Sequence, residues 1–201
     1  MDSSPTPLRI ASRRILIGGG TEPFRTVPGI LTIEGAWITG FEPLDDNTVF
    51  SEDTLDMGDK WITPSFVNAH THIALGVMRG MDVESASAGN MVEEVFFRFE
   101  SKCTKDDVLA FARVGAYACL MNGVGHIWDH YYYGDAVAQA MKEVGLTGVV
   151  APTLQDLAGP GKDMWVDSLS ATQSIFSDLN YASAGIFAAL GPHATDTVSA
   201  A

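Results

Sequence analysis

Trp61-Ile-Thr-Pro-Ser-Phe-Val-Asn-Ala-His70-Thr-His72 decides how the rest of the chain is read. Trp61 to Ala69 has the aromatic and β-branched content of a buried strand, and it delivers His70 at its end. On an extended backbone, residues two apart face the same way, with side-chain roots roughly 6.5 Å apart. His70 and His72 are therefore expected on one side, where both rings can reach a single ion at about 2.0–2.1 Å from nitrogen. Two histidines in a polar loop are the plain alternative, since His-X-His alone is a weak sign. The strand and Pro64 ahead of it, with Leu75-Gly-Val-Met-Arg-Gly80 behind, make the metal reading more specific.

Toward the N-terminus the chain reads as strands and turns. Leu8 to Ile17 is strand-like and is stopped by Gly18-Gly-Gly20; Gly29 to Glu42 reads as a hairpin turning at Glu34-Gly35. The glycine run lacks the Lys-Ser/Thr and the following helix of a phosphate loop.

Toward the C-terminus strands alternate with helices. A helical stretch around 90–100 precedes a helix opened by Thr104-Lys-Asp-Asp and closed by Asn122-Gly123. Strands are expected at 124–129, 146–152 and 184–191, with helices at 135–144 and 167–179 between them. This alternation implies parallel strands joined by right-handed crossovers, in a barrel or in an open sheet. In barrels of this kind, active sites form at the C-terminal ends of the strands, where His70 and His72 fall.

A net charge of −13 argues against nucleic acid and anionic membranes as partners. No apolar run reaches the roughly 18 residues of a membrane span, and Met1-Asp-Ser-Ser-Pro-Thr-Pro7 has no secretory pattern. Cys103 and Cys119 lie too far apart for a metal knuckle, which fits a reduced, cytoplasmic setting.

Four segments together resemble the amidohydrolase superfamily, in particular its cytosine deaminase, S-adenosylhomocysteine deaminase and chlorohydrolase branch. They are the hairpin around Glu34-Gly-Ala-Trp-Ile38, Asp56 to His72, Met78-Arg-Gly80, and Gly191-Pro-His-Ala194 with Thr197-Val-Ser199. Ser65 departs from the glycine usual in that family. The resemblance implies an α/β chain with N-terminal β-sandwich strands over residues 1–60. Residues 61–201 would be the first four units of a TIM-like (β/α)8 barrel. It implies Zn²⁺ or another divalent ion such as Fe²⁺ on His70 and His72, and a substrate contact for His193.

The expected activity is hydrolysis of an amino-bearing nucleobase, purine derivative or related heterocycle by metal-activated water. The family's remaining metal and proton-transfer groups are expected beyond residue 201, so a homo-oligomer or a second chain or segment would complete the barrel. A half-barrel would expose strand edges prone to aggregation. The competing reading is a non-catalytic or incomplete fragment serving as a binding or assembly module. An open-sheet nucleotide binder is disfavoured, because no Gly-X-Gly-X-X-Gly turn follows a strand.

Of the remaining candidates, His130 sits at the mouth end of its strand and could line the pocket, although Tyr131-Tyr-Tyr133 beside it also fits plain packing. His126 reads as an internal, satisfied histidine. Asp129 and Asp156 are strand-end carboxylates, and Arg79 suits either a ligand anion or a structural ion pair. Phe96, Phe97 and Phe99 read as core or interface.

Overall fold

The computed structural model describes residues 6–45, 48–82 and 89–200, and the chain divides into two compact units that meet in sequence at Pro64 and Ser65. The first unit is a five-stranded sheet. β1 (Leu8–Gly19) pairs antiparallel with β2 (Glu22–Glu34), and β2 with β3 (Trp37–Pro43). Two short strands, β4 (Thr54–Asp56) and β5 (Trp61–Ile62), lie parallel to β1. The β2–β3 turn carries Gly35 at φ 60°, a left-handed conformation that favours glycine. Ala11, Ile15 and Ile30 are its buried apolar residues.

The second unit is mixed α/β around a sheet in which every pairing is parallel. β6 (Phe66–Thr71) pairs with β7 (Val124–Tyr131), and β7 with β8 (Thr147–Leu154). β9 (Ile186–Ala188) and β10 (Gly191–Pro192) both pair with β8, at Gly148 to Val150 and at Thr153 to Leu154 respectively. A 3-10 turn, Ile73–Met78, follows β6, and a π-helical turn, Val92–Phe96, runs into α1 (Phe97–Glu100). α2 (Lys105–Met121), α3 (Gly134–Val144), α4 (Trp165–Ser177) and α5 (Leu179–Ser183) complete the order.

The helix ends follow local chemistry. Thr104 and Asp107 form a reciprocal capping box, the Asp107 carboxylate accepting from Thr104 N at 2.9 Å and Thr104 Oγ1 accepting from Asp107 N at 3.2 Å. The core gathers Ile73, Val108, Ile127, Val137, Met141, Leu146, Val150, Ile175 and Ile186. Gly115 lets α2 come close to the chain leaving β6: a Cβ there would lie 2.1 Å from the carbonyl oxygen of Ile73. No helix among the described residues is long and apolar enough to cross a membrane.

Two expectations are corrected. The single buried strand from Trp61 to Ala69 is two strands, β5 in the first sheet and β6 in the second. Pro64 lies between them, and with no N–H to donate it cannot continue a ladder. β6 is also largely exposed, with Phe66 and Val67 each 65% accessible, because it is a terminal strand paired only with β7 among the described residues. The strand expected at 184–191 is two short strands on the same neighbour, β9 and β10 both pairing with β8, with Ala189 and Leu190 between them.

Candidate functional site

His70 and His72 lie at the end of β6, His130 near the end of β7, and His193 directly after β10. Ring centroids are 5.3 Å apart for His70 and His72, 6.0 Å for His72 and His130, and 5.7 Å for His130 and His193. The four rings border two cavities that share His72 and His130. One, of about 250 Å³, is walled by Ala69, His70, Thr71, His72, Trp128 and His130. The other, of about 190 Å³, has His72, Phe96, Phe97, Glu100, His130 and His193 among its walls.

Each imidazole is held by a specific partner. His72 Nδ1 hydrogen-bonds the carbonyl oxygen of His130, which can only accept, so Nδ1 carries the proton and the Nε2 lone pair is free. Burial lowers the His72 pKa against the opposing pull of that bond. His130 is pushed down to about 4, first by burial and then by the nearby His193 and His72, while a backbone hydrogen bond at Gly191 opposes the shift. Its Nε2 is buried and has no hydrogen-bond partner. His193 Nδ1 lies 2.9 Å from Thr197 Oγ1, and its pKa is lowered chiefly by burial, with Asp196 opposing. In all three rings burial thus favours the neutral form.

The structure adds residues that the sequence did not single out. Glu100, at the end of α1, is buried and faces the second cavity; desolvation raises its carboxyl pKa to about 7 against a hydrogen bond from Tyr131. Spacing gave no sign of it, because its role depends on contact with a tyrosine on a different element. Phe96 and Phe97, expected as core or interface, are cavity walls, and the Phe97 ring centroid is 5.8 Å from that of His193. Phe99 stacks on Phe111 instead.

The other candidates lie elsewhere. His126 Nδ1 pairs with Thr147 Oγ1 at 2.9 Å within the sheet. Asp156 accepts from the backbone N–H and hydroxyl of Ser199, which lowers its pKa and ties two loops together. Arg79 is exposed just after the 3-10 turn. Tyr131 and Tyr132 are buried beside Glu100 and Gln155, and Tyr132 donates to Gln155 Oε1 at 3.2 Å. Asp129 is fully buried, one oxygen accepting from Ile73 N at 2.6 Å and the other unpartnered.

Free imidazole nitrogens are the donor chemistry that a borderline ion such as zinc prefers. His72 meets that description, its Nδ1 anchored to a carbonyl in the outer-shell arrangement common to metal-binding histidines. Among the described residues, no three His, Cys, Asp or Glu side chains converge closely enough to hold an ion. His72 thus has the donor chemistry of one ligand, and the His70 ring lies beside it at a centroid distance of 5.3 Å.

A sequence profile described as the amidohydrolase family matches residues 61–201. The 5-methylthioadenosine/S-adenosylhomocysteine deaminase of Symbiobacterium thermophilum is 28% identical over 192 residues, covering 92% of this chain and 43% of that protein. The 5'-deoxyadenosine deaminase of Methanococcoides burtonii is 25% identical, covering 85% of this chain and 38% of the relative. Among solved structures, a guanine deaminase from C. acetobutylicum with guanine in its active site superposes with a TM-score of 0.73 at 12% identity, over 96% of this chain and 48% of the other. A zinc-bound adenosine deaminase from Xanthomonas campestris gives a TM-score of 0.70 at 17% identity, over 95% and 44%. The chain thus spans less than half the length of each of these four proteins.

Proposed function

The chain belongs to the amidohydrolase family, and on that premise we propose that it builds the first part of the active site of a metal-dependent deaminase. The substrate would be an adenosine-type nucleoside or a related nitrogen heterocycle. One observation carries the reading: four histidines from three parallel strand ends border two adjoining cavities. The names of the relatives, which include methylthioadenosine and deoxyadenosine deaminases, support the substrate class. In this reading residues 65–201 are four units of a (β/α)8 barrel, and residues 1–64 belong to a β-sandwich. A further segment or second copy supplies the missing ligands.

His70 and His72 would hold the ion. A bound zinc or comparable divalent ion lowers the pKa of water to near neutrality and so supplies the nucleophile. The chain's own residues do the rest of what is described here. Phe96 and Phe97 wall the cavity and exclude water from a flat, apolar ring. His193 and His130 present neutral ring nitrogens to polar edges of the substrate. Glu100, with its carboxyl near pKa 7, can hold a proton or release it at working pH.

The test is metal content and ammonia release on 5-methylthioadenosine, with zinc supplied and the whole protein used. We expect stoichiometric zinc that is lost in His70→Ala, together with ammonia release that is lost with it. A whole protein that takes up no zinc would overturn the reading in favour of a non-catalytic module.

A further inference from the structure

Thr197 is 4% exposed and sits four residues beyond His193, in a turn pinned from outside. Its carbonyl accepts from Asp156 N and Leu157 N, each at 3.1 Å, and Ser199 N donates to Asp156 Oδ1 at 2.7 Å. The backbone that carries the hydroxyl is therefore held in place. It lies 2.9 Å from His193 Nδ1 and 3.2 Å from the carbonyl oxygen of Ala194. A threonine hydroxyl has one proton, so it can donate to only one of these two.

The Ala194 carbonyl already accepts from Thr197 N at 3.1 Å and Val198 N at 3.0 Å. Both of its lone pairs are thereby engaged. His193 Nδ1 is the nearer partner, and unprotonated it would offer a lone pair that nothing else engages. A neutral imidazole that accepts at Nδ1 carries its proton on Nε2. His72 is the reverse, since its Nδ1 faces a carbonyl oxygen and must donate.

We propose that Thr197 is a positioning residue: its hydroxyl donates to His193 Nδ1 and so fixes His193 as a hydrogen-bond donor from Nε2, opposite in sense to His72. Where His72 offers a lone pair, His193 offers an N–H. On the reading of the site as a deaminase pocket, the ligand places a lone-pair atom there, such as an unprotonated ring nitrogen.

The experiment is nitrogen-15 spectroscopy of the histidine rings at neutral pH without metal or substrate, with the His193 signals assigned by their loss in His193→Gln. We expect Nδ1 of His193 unprotonated and Nε2 protonated in the parent. In Thr197→Val, which removes the hydroxyl at nearly constant shape, the Nδ1 resonance moves downfield as its hydrogen bond is lost. Thr197→Ser restores it. A protonated Nδ1 in the parent, or an Nδ1 resonance indifferent to Thr197→Val, overturns the proposal. A protonated Nδ1 in the parent overturns the proposal even where Thr197→Val does not fold, and Thr197→Ser then carries the test of the hydroxyl. Because the tautomer is read without zinc or turnover, failure of the deaminase reading leaves this result standing, and the converse holds.

Discussion

Asp129 is wholly buried, and desolvation raises its carboxyl pKa to about 7 against the backbone N–H of Ile73, which favours the charged form. A carboxyl whose folded pKa lies above its unfolded value stabilises the fold fully below the unfolded pKa, and that contribution is lost as pH rises through the folded one. Its window therefore runs from the ordinary 3.8 up to about 7. Glu100 acts in the same direction. The lowered pKa values of His72, His130 and His193 act oppositely, removing stability as pH falls below 6.5. The diagnostic is thus the difference between parent and Asp129→Asn, whose amide oxygen still accepts from Ile73 N. Urea midpoints should show the variant gaining on the parent by a few kcal/mol between pH 5 and pH 8, an order of magnitude set by the size of the shift. Equal pH slopes in the two proteins would show Asp129 to be ionised in both states.

Gly115 shows how one position can serve two elements. In an open helix face, glycine to alanine stabilises by about 0.5–1 kcal/mol through backbone entropy. Here the added methyl would meet the Ile73 carbonyl oxygen at 2.1 Å, and backbone cannot swing aside as a side-chain tip can. Gly115→Ala should therefore lower the melting temperature by several degrees, for a cost of roughly 1–3 kcal/mol of the kind seen on overpacking; an unchanged or raised melting temperature would refute the contact. Elements of this sort were legible where the signal is local. The Thr104 cap, the Gly123 and Gly145 helix stops and the Glu34-Gly35 turn all lie where their residues indicate. The division of one strand into β5 and β6 was not, because it depends on which sheet each half joins. The sequence named His70, His72, His130 and His193 from strand-end positions and family motifs, and the structure gathers them around adjoining cavities. Glu100 escaped, and Thr197 was named only within a motif, since the contacts of each are with partners that only the folded chain brings near.

At the scale of the molecule, two features oppose each other. The net charge of −13 repels like copies over a distance set by ionic strength, about 10 Å at 0.1 M salt. Against it stands β6, six residues without a formal charge at pH 7 when its histidine is neutral, with Phe66 and Val67 exposed. Lysine on such a strand is one of the devices by which natural sheets discourage pairing. Val67→Lys should therefore reduce the apparent mass seen by light scattering at high protein concentration; an unchanged mass would place self-association elsewhere. Salt shortens the reach of the repulsion while leaving the strand's apolar surface bare. A stock that stays clear in dilute buffer should turn cloudy as sodium chloride is added, and the six-residue ribbon, more than the stability of the fold behind it, then sets how long the preparation keeps.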